Sequence, residues 1–399
     1  MRKPMMAALV MVSAVSVVVA GCTAKPTTPP VTTPPVTTPA SPDAQKPGET
    51  TPPAPTTPAP TTPVPAQPEP PKPVKRTLPN PSRGIHLSGW YAGSPDLIGP
   101  LMDWCKAAGI NTLVLDLKAE DGKLSWNSEI PLAKEIGANE RKIGDLPKFI
   151  AEAHEKGFWV SGRIVVMNDQ YLYRARPSWG IPGFPGGAYS FMDPKNENVW
   201  RYNLDIAQAA VKAGVDEIQF DYIRYPEKLV DGYNRDTGAD YRVGHIVGFL
   251  KKAMEELKPL GVVVGADLFG LTSSVAEGDD MQIGQDYRKV IDVVDYVGLM
   301  AYPSHYALGT YGIANPDRAP YETVKASLAK AVERTPGTSL DKHRPWIQDF
   351  TYPTAGALKY GPAEVMGQVR ALKELGINNF MLWDPSNKYT RGVDYTKVQ

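Results

Sequence analysis

From residue 83 onward, short runs of apolar and β-branched residues alternate with longer amphipathic segments. The runs at 84–90, 112–118, 158–167, 217–225, 262–269, 296–302, 344–350 and 379–383 read as strands. The segments 97–108, 146–156, 199–213, 241–257, 287–293, 321–333 and 363–375 carry the three-to-four-residue spacing of helices packed on one face. Four of them end in a glycine followed at once by an apolar residue: Gly109-Ile110, Gly157-Phe158, Gly214-Val215 and Gly376-Ile377. A glycine there accepts the left-handed conformation that stops a helix, and the next strand begins directly. Eight strands separated by helices predict a (β/α)8 TIM barrel rather than a doubly wound sheet. The last helix of an ideal barrel has little support, because only 15 residues follow Asp384.

Polar positions interrupt this pattern in one recurrent way. A carboxylate stands late in, or just after, five of the strand-like runs: Asp116 in NTLVLDLK, Asp221 in EIQFDYIRYP, Asp267 in VVVGADLFG, Asp349 in RPWIQDF and Asp384 in NFMLWDPSN. In a parallel barrel these positions lie near the carboxyl ends of the strands, where active sites are built. Carboxylates converging on one mouth, with aromatics beside them, are what glycosidic bond cleavage needs. Two of the βα connections are long. The first, 168–198, carries Tyr171, Tyr173, Trp179, Phe184, Tyr189 and Phe191; the second, 303–320, carries His305, Tyr306 and Tyr311. Long connections on a compact domain usually serve function, and exposed rings offer flat faces to sugars. The alternative is that these rings pack onto the loops themselves. Arg224, Tyr302 and His305 are expected as rim partners for substrate hydroxyls or charge, and Trp383 as a sugar contact. Asp349 and Asp384 are further substrate-binding candidates. Asp116 is as readily structural, holding Lys118 or an arginine of a neighbouring strand. Asp121-Gly122 reads as a turn.

The amino-terminal quarter follows different rules. Arg2 and Lys3 precede an apolar run over 5–20, and Val19-Ala20-Gly21 leads into Cys22. A basic start, a short apolar core and small residues before a cut describe a secretory signal over 1–21. Small residues directly before a cysteine resemble the lipobox of bacterial lipoproteins. That resemblance implies that Cys22 becomes the lipid-bearing first residue of an exported, envelope-anchored protein. The only other cysteine, Cys105, falls in an apolar helical stretch and reads as a packed thiol. Residues 22–80 hold half of the chain's 40 prolines. Proline removes backbone donors, and this segment has almost no large apolar side chains, so an extended, disordered tether is expected there. Residues 81–399 form the folded domain on this reading. Lys plus Arg, 43, equals Asp plus Glu, 43, so no strong field favours nucleic acid. Five histidines with no H-x-H or H-E-x-x-H pairing make dedicated zinc chemistry unexpected, and no phosphate loop or G-x-S-x-G elbow occurs. No metal and no cofactor is expected.

The segments GVDEIQFDYIRYP, VVGADLFGLTSS, VGLMAYPSHY and NNFMLWDPSN together resemble a bacterial glycosyl hydrolase domain family catalogued as a domain of unknown function. The resemblance runs from Arg83 to the carboxyl terminus. It implies a TIM barrel distantly similar to α-amylase-type glycosidases. In that clan the nucleophile is an Asp at the end of strand 4, which Asp221 matches. The acid/base is usually a Glu at the end of strand 5, where this chain carries Asp267; Asp349, Asp384 and Glu227 remain substitutes. The implied activity is retaining hydrolysis of an envelope or extracellular polysaccharide. A catalytically silent glycan-binding barrel is the alternative. A metal-assisted hydrolase using the carboxylates as ligands is a third class, disfavoured by the scattered histidines.

Overall fold

A computed structural model describes residues 77–184, 190–227, 238–354 and 356–397. The leader, the Pro/Thr-rich segment through residue 76, Cys22 and Tyr189 lie outside the described residues. Eight strands, β1 (Arg83–Leu87), β2 (Thr112–Lys118), β3 (Trp159–Val165), β4 (Glu217–Asp221), β5 (Val263–Phe269), β6 (Tyr296–Ala301), β7 (Trp346–Gln348) and β8 (Phe380–Trp383), form a closed barrel in sequence order. Every neighbouring pair is parallel, and β8 closes on β1 through Gly84 opposite Met381. The barrel predicted from the apolar runs is the one observed.

The helices fall where their spacing places them: Pro95–Ala108, Leu146–Glu155, Glu197–Ala213, Ala239–Leu257, Tyr287–Ile291, Pro320–Arg334 and Pro362–Glu374. Gly109 and Gly214 stop two of them at φ of 81° and 111°. The strands face apolar neighbours on both sides. Outward side chains such as Leu113, Leu115, Ile218 and Phe220 pack under the helices, and Cys105 is fully buried among them. Burying each such side chain contributes about 1.5–3 kcal/mol, which is why near-continuous apolar runs are needed. Inside the barrel, Val114, Tyr296, Trp346 and Met381 fill the centre. The amino-terminal end is plugged by the buried pair of Arg344 and Glu217, with the Tyr296 hydroxyl (2.6 Å) and Trp159 Nε1 (3.1 Å) also donating to Glu217. The bottom is thus packed shut, and chemistry is confined to the other mouth.

Strand ends shift from the expected bounds for local reasons. β1 stops at Leu87 because Ser88 caps a short helix, Gly89–Ala92, its Oγ accepting from the Tyr91 amide (3.3 Å). β4 stops at Asp221 because Tyr222 turns to a φ of 51°. The connections after β2 and β3 contain two short helices with too few residues to show a period, Pro131–Glu135 and Gln170–Ala175. No helix follows β8 among the described residues. The tail packs there instead: Tyr389 stacks on Trp104 at 5.8 Å, Tyr395 lies 5.7 Å from Phe380, and the Tyr395 amide donates to the Ala108 carbonyl.

Candidate active site

An arginine missed in the sequence pattern organises the carboxyl-terminal mouth. Arg163 projects from β3 directly beside Asp116 of β2 and is almost completely buried. Its Nη1 donates to Asp116 Oδ1 (2.6 Å), and its Nη2 to Glu120 (2.8 Å) and to Asp221 Oδ2 (2.6 Å). Its Nε also reaches Asp221 Oδ2 (3.1 Å). Burial works against the guanidinium charge, but Asp116, Glu120 and Asp221 outweigh it and hold the arginine charged. The signal that would have found it is a lone arginine in the otherwise uncharged run WVSGRIV. A charge inside a buried strand requires partners, and strand-end carboxylates are the available ones.

Asp116 has a second partner that the sequence reading also missed. His86 of β1 meets it through Nε2 at 2.8 Å, and its ring stacks on Trp383 at 4.1 Å. Burial raises the Asp116 carboxyl, yet His86 and Arg163 together pull it well below the usual carboxylate range. Asp116 therefore engages an arginine of the neighbouring strand, one of its two expected structural roles. Lys118, the other expected partner, pairs instead with Asp169 (2.7 Å) and Asn203 (2.9 Å), all fully buried. Trp383 covers Arg163 at 5.0 Å.

Asp267 has a different environment. Its Oδ1 accepts from Trp346 Nε1 (2.9 Å), and its Oδ2 is buried without a partner among the described residues. Opposite it on β6 stands Gly298, where a Cβ would come within 2.2 Å of Oδ1. Only glycine leaves room for this carboxyl. Burial first, and then the charge of Asp221, push the Asp267 pKa well above the usual carboxylate value, against weaker opposing effects of Arg163 and Trp346. Asp221 itself keeps Oδ1 against its neighbour's amide, Tyr222 N–H (2.6 Å), in the turn where Tyr222 takes its positive φ. A tyrosine in the left-handed region is strained, by about 1–2 kcal/mol.

The structure brings Asp116, Asp221, Asp267, Tyr302 and Trp383 together. Burial places the Tyr302 hydroxyl pKa well above its ordinary value, and the charges of Asp267 and Asp221 add to this; its ring lies 6.4 Å from Trp383. His305 is one ring further out, 5.4 Å from Tyr302. Arg224 packs over Phe191, Tyr222 and Phe269 and has Glu227 at 3.6 Å, so it does not pair with Asp221. Asp349 accepts from the Thr390 amide (3.0 Å) and hydroxyl (2.5 Å); burial pushes its pKa to about 7 against those bonds. Asp384 accepts from the Ser386 amide and hydroxyl (both 2.6 Å) and the Lys388 amide (3.2 Å), closing the turn after β8. Both of these carboxylates hold the tail in place. Of the loop aromatics, Phe184 and Phe191 meet edge to face at 5.7 Å, and Tyr173 donates to the Phe184 carbonyl (2.6 Å), so part of the 168–198 connection packs on itself. Among the described residues no group of three or more His, Cys, Asp or Glu is placed to hold a metal ion.

The comparisons agree with this architecture. The glycoside hydrolase domain of PgaB (BpsB) from Bordetella bronchiseptica superposes with a TM-score of 0.58 at 15% identity, covering 77% of this chain and 94% of that one, which is a likeness of fold. A hypothetical protein from Ruminiclostridium thermocellum is 33% identical over 46% of this chain and 96% of its own, with a TM-score of 0.41. No curated protein matches the chain. A family profile described as "Putative glycosyl hydrolase domain" matches residues 84–389, most of the chain and all but the first residue of the barrel. The chain belongs to this glycosyl hydrolase domain family.

Proposed function

We propose that this protein hydrolyses O-glycosidic bonds of an envelope or extracellular polysaccharide by double displacement. The observation that carries the reading is the asymmetry of two carboxyls on adjacent strands. Asp267 is buried with a free Oδ2 and is driven toward its protonated form; Asp221 is ion-paired to Arg163. Asp221 attacks the anomeric carbon while Asp267 gives its proton to the departing glycosidic oxygen, leaving a glycosyl ester on Asp221. Water then attacks that carbon, Asp267 takes the water's proton, and the Asp221 carboxylate leaves. Arg163 orients Asp221, and Trp383 and Tyr302 offer ring faces to the sugar.

One observation favours a second reading, a barrel that binds glycans without cutting them. Asp221 already accepts two bonds from Arg163 on Oδ2 and one from Tyr222 on Oδ1. A carboxylate has about four lone-pair sites, so one remains on Oδ1, which is enough for attack but leaves no reserve. Asp221→Asn separates the two readings. As nucleophile, its loss abolishes turnover of a glycan panel while binding stays near wild type; Asp116 and Glu120 still pair with Arg163, so the melting temperature falls little. Turnover at the wild-type rate in that variant places the nucleophile elsewhere, and glycan binding with no turnover by wild type favours the silent barrel.

A further inference from the structure

A line of amides ties the rim after β6 to the helix Pro362–Glu374 and sets the proton on His305. Gln368, fully buried, accepts the Gln348 N–H at Oε1 (2.9 Å) and donates from Nε2 to the Gln348 carbonyl (2.7 Å). The Gln348 side chain donates from Nε2 to the Phe350 carbonyl (2.9 Å) and accepts at Oε1 from the Ser304 amide (3.1 Å) and hydroxyl (2.9 Å). A backbone N–H can only donate and a carbonyl can only accept, so this orientation of the Gln348 amide is the one that satisfies both ends. The Ser304 hydroxyl has a single proton, spent on Gln348. Its 2.9 Å contact with His305 Nδ1 must then be carried by a proton on Nδ1. In a neutral imidazole that leaves Nε2 as a bare acceptor.

The surroundings keep the ring neutral. Tyr302 (5.4 Å), Phe350 (5.9 Å) and Tyr352 (5.3 Å) all meet it edge to face. Ser304 is its hydrogen-bond partner among the described residues. No carboxylate or cation pairs with it among the described residues. Burial among these rings lowers its pKa to about 4. Nε2 has no partner among the described residues, and the half-buried ring stands one aromatic away from the Asp221 and Asp267 pair.

We propose that His305 is a fixed hydrogen-bond acceptor of the substrate cleft, taking a hydroxyl of the sugar beside the scissile bond through Nε2. The Gln368–Gln348–Ser304 line holds it in that tautomer. This deepens the hydrolase reading and rests on it. A site with a built acceptor accepts a hydroxyl and rejects the deoxy sugar that would leave it unpaired.

The test has two parts, so that its failure and that of the hydrolase reading are told apart. In the full chain labelled with ¹⁵N-histidine, NMR should find His305 Nε2 unprotonated and unchanged from pH 5 to pH 8. Ser304→Ala should release the tautomer. A proton on Nε2, or titration within that range, overturns the proposal and leaves the hydrolase reading intact. Kinetics then use a panel of para-nitrophenyl glycosides. His305→Phe, which keeps a ring in the aromatic setting but removes the acceptor, should raise KM about five- to twentyfold with kcat little changed, the scale of one hydrogen bond lost. His305→Gln, which restores an acceptor, should recover most of it. An unchanged KM in His305→Phe refutes the proposal. Failure of wild type on every aryl glycoside and on the glycan panel alike removes the hydrolase reading and the proposal with it.

Discussion

Arg163 is the residue on which the mouth depends most. It neutralises two buried carboxylates at once, Asp116 and Asp221, while meeting half-exposed Glu120 at the rim. Removing one partner of a buried ion pair leaves charge uncompensated, which costs about 3–5 kcal/mol. Arg163→Met should therefore lower stability by that order, measured by denaturant unfolding. The loss should shrink when Asp116→Asn is added, because one of the two orphaned charges is then absent. An Arg163→Met protein as stable as wild type would mean that Asp116 and Asp221 are served by water. Asp116, Asp221 and Asp267 were visible in the sequence because a carboxylate ending an apolar run is conspicuous. Arg163 and His86 were not singled out. They stand as late in their strands as Asp116 and Asp267 do in theirs, but only the carboxylates form a recurrent series, and what the two basic residues do depends on which strands become neighbours.

At the scale of elements, strand pairing explains positions that no single segment explains. Gly298 looks like an ordinary strand glycine until β6 is set beside β5, where it faces Asp267. Gly298→Ala should force the Asp267 carboxyl away from Trp346, because the added carbon would stand 2.2 Å from Oδ1. Overpacking of this kind costs about 1–3 kcal/mol. The expected outcome is a destabilised protein with hydrolysis lost more completely than fold, read by thermal melting and glycosidase assay together. Wild-type activity in Gly298→Ala would show that the Asp267 position is not critical. The strands and long helices were legible because period and glycine stops are local signals. The short helix Gly89–Ala92 and the end of β4 at Tyr222 were not, because they follow from a serine cap and a strained turn rather than from a hydrophobic period. The roles of Asp349 and Asp384 were hidden for a related reason: their partners, Thr390, Ser386 and Lys388, belong to a tail without periodicity.

At the scale of the whole molecule, the barrel is plugged at its amino end by Arg344 and Glu217, and the paired carboxylates stand at the other end, from which the proposed mechanism has a polymer approach. The proposed envelope role adds a lipid on Cys22. Cys22→Ala should release the protein from the membrane fraction and abolish labelling by radioactive palmitate; equal membrane recovery of both forms would refute the anchor. In the proposed mechanism Asp267 delivers the proton beside Asp221. The direct measurement of that step is the kcat/KM of Asp267→Asn across substrates of different leaving group. A protonated carboxyl contributes about 10²–10⁴-fold only where the leaving oxygen needs a proton. In kcat/KM, which reports the first displacement and not the base step, a loss of that order is predicted on the polysaccharide and on alkyl glycosides, with little loss on dinitrophenyl glycosides. The alkaline limb that deprotonation of Asp267 gives wild type as pH rises should disappear. Equal activity on both kinds of substrate, or an equal loss on both with the alkaline limb retained, would contradict this mechanism.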